Sequence, residues 1–248
     1  MRALAVDTST ATAGIAVVDD ERGLLAEFLM KDQKTHSQKL IPMLKELLDS
    51  LSLAPGDIDI YAAVTGPGSF TGLRIGVTTV KAMAYALGKP VAGVPSLDAL
   101  ANAAVAYEDT LVCPIMDARN NQVYTALYKP QNGLMNNLSG YMGLHVSELV
   151  KQLEEKYGNA RVLFTGDGVL LHRDFLKIEL NDRCYFMPDF TLQQMAASAA
   201  HLALCSLARD ESIDYQELMP LYLRPSQAER EYERKKAEQS ENIKGSDD

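Results

Sequence analysis

The chain has 248 residues, room for one large domain or two small lobes, and its 47% hydrophobic and 23% charged residues are an ordinary globular mix. A formal net charge of -9 argues against a free-standing nucleic-acid binder, because phosphate contacts need clustered Lys and Arg. No run of about 18 apolar residues occurs, so no membrane span is expected.

The first residues, Met1-Arg2-Ala3-Leu4-Ala5-Val6-Asp7, meet an acid after four apolar residues, unlike a secretory signal, so a cytoplasmic location is expected. Cys113, Cys184 and Cys205 are odd in number, far apart and without C-x-x-C spacing. They suggest neither a disulfide framework nor a zinc site, and read as small buried hydrophobes.

In chain order, strands are expected at Ala3–Val6, Thr12–Val18 and Leu24–Met30, with acids and a glycine in the turns. A helix capped by Thr35 or Ser37 follows, with Leu40, Leu44, Leu47, Leu48 and Leu51 on one face and Pro42 tolerated near its start. Ile58–Val64 is the next strand. A helix from Ser69 to Leu87 then stops at Gly88 with Pro90 beyond. Val91–Val94 is a short strand, and Pro95 to Tyr107 a third helix.

The order then restarts. Leu111–Met116 runs into Asp117, followed by Val123–Tyr128, a weaker strand at Gly140–Leu144 and a helix Ser147–Tyr157 with Ser147 as its cap. Val162–Thr165 ends at Gly166-Asp167-Gly168, a strand lies near Cys184–Met187, and a long helix spans Thr191–Arg209. Two β-β-β-α-β-α-β-α halves result, each opening on a strand that delivers an aspartate, Asp7 or Asp117. The order resembles the actin-like ATPase superfamily (ribonuclease H-like, including the sugar kinases), an α/β class with a duplicated two-lobed fold and a nucleotide in the cleft between lobes.

The expected organisation is a first lobe at 1–107, a smaller second lobe at 108–190 and a long helix at 191–212 returning to the first lobe. An extended segment with a charged, disordered tail occupies 213–248, with Pro220 to Pro225 extended and few apolar residues after Ser226.

Common catalytic patterns fail. No Lys follows Gly72 or Gly76, so there is no phosphate-binding P-loop, and the dinucleotide pattern begun by Gly66 and Gly68 finds its third glycine, Gly72, one residue late. Ser69 has the wrong spacing for a nucleophile elbow and reads as a helix N-cap. His36 has no second histidine one turn on, because position 40 is Leu. Asp7-Thr8-Ser9 places an acid and hydroxyls where an actin-like protein meets phosphate, but Thr8 to Thr12 contains no glycine. Thr165 to Gly168 reads equally as the wall of an adenosine pocket or as a strand-to-helix turn. Asp7, Thr8, Ser9, Asp117, Arg119, Gly166 and Gly168 are therefore carried forward as a weak nucleotide cleft.

The densest signal is Gly66-Pro67-Gly68-Ser69-Phe70-Thr71-Gly72-Leu73-Arg74-Ile75-Gly76. Gly72 and Gly76 fall on one helix face, continued by Val80, Ala84 and Leu87. A glycine inside a helix costs about 1 kcal/mol relative to alanine, so the repeat implies a compensating close contact. That contact is either a partner's backbone or the chain's own sheet.

These residues resemble the TsaB (YeaZ) family. The likeness rests on Leu4-Ala5-Val6-Asp7-Thr8-Ser9, Thr35-His36-Ser37 with Leu40 and Pro42, Thr65 to Gly76, Pro90 to Leu97, and Met116-Asp117-Ala118-Arg119-Asn120 leading to Val123-Tyr124. It covers about residues 1 to 225. The resemblance implies a catalytically silent scaffold, with no catalytic and no metal-binding residues, that works with TsaD and TsaE when threonylcarbamoyl passes from threonylcarbamoyl-AMP to N6 of the tRNA adenosine next to the anticodon. His36-Ser37-Gln38-Lys39-Leu40 keeps only the first histidine of TsaD's metal-binding pair.

The resemblance further implies direct docking of TsaD through first-lobe helices, TsaE joining as an ATPase, tRNA met only through the complex, and a homodimer when TsaD is absent. No intrinsic cofactor is expected. ATP or ADP and metal belong to the partners, with a nucleotide conceivable at the TsaB–TsaD boundary. The expected docking residues are Leu40, Leu44, Gly68, Phe70, Thr71, Gly72, Arg74, Gly76 and Val80, and Gly76→Leu is expected to weaken docking with the fold intact. The alternatives are a stand-alone actin-like kinase or nucleotide hydrolase, and a metallopeptidase.

Overall fold

The computed structural model describes residues 1–31, 36–105, 109–193 and 195–224. Thr35, Tyr107, the side chain of His36 and the charged stretch from Ser226 onward lie outside the described residues.

Strand β1 (Arg2–Asp7) is buried from Ala3 to Asp7, as the middle strand of a sheet covered on both faces must be. Strands β2 (Thr12–Asp19) and β3 (Gly23–Lys31) follow as an antiparallel meander. Strand β4 (Ile60–Gly66) pairs parallel with β1, and β5 (Val91–Pro95) parallel with β4, giving the order β3-β2-β1-β4-β5. Helices α1 (His36–Ser50) and α2 (Phe70–Leu87) cover one face of this sheet. Their apolar stripes, Leu40, Leu44, Leu47 and Leu48 on α1 and Val77, Val80 and Ala84 on α2, close a core with Leu4, Val6, Ile15 and Val17. Helix α2 keeps its expected punctuation: Ser69 accepts from Gly72 N–H at 3.3 Å, and Gly88 ends it in the left-handed conformation.

The third helix, α3 (Ser96–Asn102), is shorter than expected. A second sheet is built from β6 (Leu111–Asp117), β7 (Gln122–Thr125), β8 (Tyr128–Gln131), β9 (Leu134–Asn137), β10 (Met142–His145), β11 (Val162–Thr165) and β12 (Cys184–Phe186). Its main order is β10-β7-β6-β11-β12, with β8 on β6 and β9 on β8. The expected single strand Val123–Tyr128 is thus two. Leu127 breaks it, donating its N–H to Ser139 Oγ at 2.9 Å and accepting from Leu138 N–H at 2.7 Å.

Helix α4 (Val146–Tyr157) starts one residue early and is capped by His145, whose Nδ1 accepts from Ser147 N–H, so Ser147 is not the cap. Helix α5 (Val169–Leu180) fills the interval between Gly168 and Cys184. Its exposed Leu170, Leu171 and Ile178 blur the polar face that would have marked it. Helix α6 (Ala196–Ala208) begins later than Thr191, because Asp189–Thr191 form a separate short turn. It packs on β1, β2, β4 and β5 of the first sheet, and its N-terminal Ala197 N–H donates to Glu27 on β3 at 3.1 Å. With α3 it joins the two sheets through one continuous core that includes Ala5, Ala62, Leu97, Leu100, Phe164 and Leu204. Among the described residues no helix is long and apolar enough to cross a membrane.

Candidate functional site: a closed aspartate loop and a strapped helix

The turn after β1 is folded onto α2. Thr8 Oγ1 donates to the Gly72 carbonyl at 2.7 Å, and Ser69 N–H donates to the Ser9 carbonyl at 2.7 Å. A Cβ on Gly72 would overlap the Thr8 carbonyl oxygen, and one on Gly76 would lie 2.5 Å from Thr8 Oγ1. Gly68 is held likewise against the Ser9 carbonyl. The bare helix face therefore receives the chain's own β1–β2 turn.

This corrects the docking assignment of Gly68, Gly72, Gly76 and Val80, and of Leu40 and Leu44, which lie in the core under α1. Close backbone approach is satisfied internally, before any partner arrives. The exposed side of α2 carries Thr71, Arg74, Thr78, Ala82 and Tyr85.

The aspartate, on the opposite face of β1 beside Gly14 and Ala196, is closed off as well. Asp7, Thr8 and Ser9 are each 1% exposed, and Asp7 Oδ1 accepts from Ser9 N–H at 2.8 Å and Ser9 Oγ at 2.6 Å. As contacts for a nucleotide they are covered by the chain itself.

The second half repeats the turn in an open form. Asp117 ends β6 as Asp7 ends β1, and its Oδ1 accepts from Arg119 N–H at 2.7 Å, again two residues on. Here Asp117 and Arg119 are exposed, and Arg119, Asn120 and Asn121 are all left-handed. Gly166 and Gly168 press on the Ile115 carbonyl of β6, and Asp167 Oδ1 accepts from Asp117 N–H at 3.1 Å. Burial pushes the Asp167 carboxyl above the usual range, against the bond from Asp117 N–H, which favours the charged form more than the nearby Asp117 carboxylate opposes it. Gly166 and Gly168 thus form a strand-to-helix turn packed on β6. Among the described residues no group of three or more His, Cys, Asp or Glu could hold a metal ion.

Sequence reasoning missed the packing of the segment after Asp210. Ile213 makes a two-bond bridge with Val91 on the β5 edge, Leu218 is buried, and Leu221 N–H donates to the Thr65 carbonyl at 2.8 Å. Tyr222 then stacks on Phe70 with centroids 4.4 Å apart and planes 9° from parallel, and its hydroxyl accepts from Arg74 Nε at 3.1 Å. Arg224 reaches the other sheet, donating to Gln122 Oε1 and lying 5.5 Å over the Tyr124 ring. Phe70 and Arg74 are thereby tied to a strap that spans both sheets. The only signal in the sequence was the extended Pro220–Pro225 run.

Two repeated halves with an aspartate at each leading strand define an actin-like ATPase fold, duplicated and two-lobed. YeaZ from Pseudomonas aeruginosa superposes with a TM-score of 0.75 at 28% identity, covering 90% of this chain and 99% of that one. Component A of the (R)-2-hydroxyglutaryl-CoA dehydratase of Acidaminococcus fermentans shares the fold, with a TM-score of 0.53 at 13% identity over 84% of this chain and 99% of that one. Residues 24–232 match the family described as TsaD, tRNA N6-adenosine threonylcarbamoyltransferase. The Bacillus subtilis tRNA threonylcarbamoyladenosine biosynthesis protein TsaB is 35% identical over 229 residues, 92% of this chain and 96% of that protein. The chain belongs to the TsaB family of tRNA threonylcarbamoyladenosine biosynthesis proteins, within the broader TsaD-like group.

Proposed function

We propose that this chain is a non-catalytic scaffold subunit that docks TsaD, with TsaE joining the complex, in the transfer of threonylcarbamoyl from threonylcarbamoyl-AMP to N6 of the tRNA adenosine next to the anticodon. The observation that supports the non-catalytic reading is the burial of Asp7, which is 1% exposed and whose Oδ1 is bonded by Ser9 of its own turn. ATP or ADP and metal then belong to the partners, and tRNA is met through them, consistent with the net charge of -9. The location that goes with this role is the cytoplasm.

Docking runs through the outward faces of α1 and α2. Ile41 on α1 is 57% exposed and Tyr85 on α2 is 69% exposed, apolar anchors of the kind that dominate interface energies. Thr71 and Arg74 extend the same side of α2, and a homodimer in the absence of TsaD would use this surface too. Calorimetric titration of TsaD into wild type and Tyr85→Asp tests the surface. The expected outcome is binding weaker by about tenfold or more in the variant, and equal affinity would place the interface elsewhere.

A further inference from the structure

Away from the docking helices and the aspartate loops, one cluster joins a thiol to a base. Cys205 Sγ lies 3.8 Å from Nε2 of His201, four residues earlier on the same face of α6. The other ring nitrogen, His201 Nδ1, is 3.2 Å from the side-chain amide of Asn102 at the end of α3. Asn102 is only 6% exposed, and its Oδ1 has no hydrogen-bond partner. A half-turn of that amide exchanges oxygen and nitrogen, so that Oδ1 accepts from Nδ1–H and Nε2 presents its lone pair to the thiol.

Cys205 also lines a cavity of about 420 Å³ between α6, the β5 edge and the start of the strap. Leu202 and Leu218 contribute apolar wall, and Arg209 with the acidic Asp98, Glu211 and Glu217 contributes the polar wall. Arg209 Nη1 is 3.9 Å from Glu211 Oε2. One cationic and three acidic residues beside a thiol suit a ligand that carries ammonium as well as carboxylate. The other cysteines differ: Cys113 is buried and its thiol is pushed up to about 12, and burial pushes half-buried Cys184 up to about 11. The expectation that all three cysteines are buried therefore holds only for Cys113.

We propose that Cys205 is a thiol–disulfide exchange site, with His201 as its base, Asn102 orienting His201, and the adjoining cavity seating a low-molecular-weight zwitterionic disulfide. His201 Nε2 takes the Cys205 proton, and the thiolate attacks one sulfur of the disulfide. The new S–S bond forms as the old one breaks, and the departing thiolate takes the proton back from the imidazolium. One thiol is consumed and one released, so no further oxidant is required.

The test uses the full-length protein and glutathione disulfide, with acid quenching and peptide mass spectrometry to follow all three cysteines together. Cys205 is expected to form the mixed disulfide at least about tenfold faster than Cys184. His201→Gln is expected to slow Cys205 by about tenfold and to flatten the pH dependence of its rate, with the Cys184 rate unchanged as the control for folding. Equal rates at Cys205 and Cys184 in wild type overturn the proposal, as does a Cys205 rate unaffected by His201→Gln.

Discussion

Thr8 and Gly72 interlock: the Thr8 hydroxyl donates to the Gly72 carbonyl at 2.7 Å, and the Thr8 carbonyl occupies the space where a Cβ on residue 72 would stand. One contact thus explains the glycine spacing of α2.

Because Gly76 meets only the Thr8 hydroxyl below ordinary contact distance, its cost on substitution should depend on that hydroxyl. Gly76→Ala is expected to destabilise by about 1–3 kcal/mol, as overpacking does. In a Thr8→Ala background the penalty should shrink, giving a coupling of at least about 0.5 kcal/mol in urea unfolding. Strict additivity would contradict the interlock. Gly76→Leu, which the sequence suggested would leave the fold intact, should now unfold the first lobe.

Asp167 gives the fold a pH dependence of definite sign. Its folded-state pKa is raised by burial, against the Asp117 N–H bond, which lowers it. Between the ordinary aspartate range and the raised value the folded chain holds a proton that the unfolded chain has released. Its contribution is therefore complete below about pH 4 and is lost as pH rises through the raised value. Asp167→Asn keeps Oδ1 for Asp117 N–H and removes the titration, so the variant should gain on wild type between about pH 4 and pH 7. Urea melts at both pH values check this, and a pH-independent difference would contradict it.

The strap can be loosened at one ring. Tyr222→Ala removes the stack on Phe70 and the bond from Arg74, and is expected to cost about 1 kcal/mol. The amide of Leu221 should then exchange faster with solvent while core amides of β1 stay protected. Unchanged exchange at Leu221 would mean that Leu218 and the Thr65 contact hold the strap unaided.

Helix α2 was legible because Ser69, Gly88 and Pro90 mark its ends locally, and β1 to β3 because their strand-forming apolar runs are separated by a turn rich in acids and glycine. The glycine spacing also announced a close contact. It did not say with what, since Thr8 lies 64 residues away and only the folded sheet brings it to Gly72. The strap was hidden for the same reason, with Tyr222 lying 148 residues from Arg74. The break at Leu127 went unread because Ala126 and Leu127 are apolar and buried like a strand interior. The role of Asp117 as the open counterpart of Asp7 was half visible: the repeat gave the position, but exposure is a property of the packed loops.

The measurement that bears most directly on the scaffold role is reconstitution of tRNA modification with purified TsaD, TsaE, tRNA and threonylcarbamoyl-AMP, with this chain present in one arm and omitted from the other. A scaffold subunit raises the yield of threonylcarbamoyladenosine only in the arm that contains it. Equal modification in both arms would contradict the proposed function.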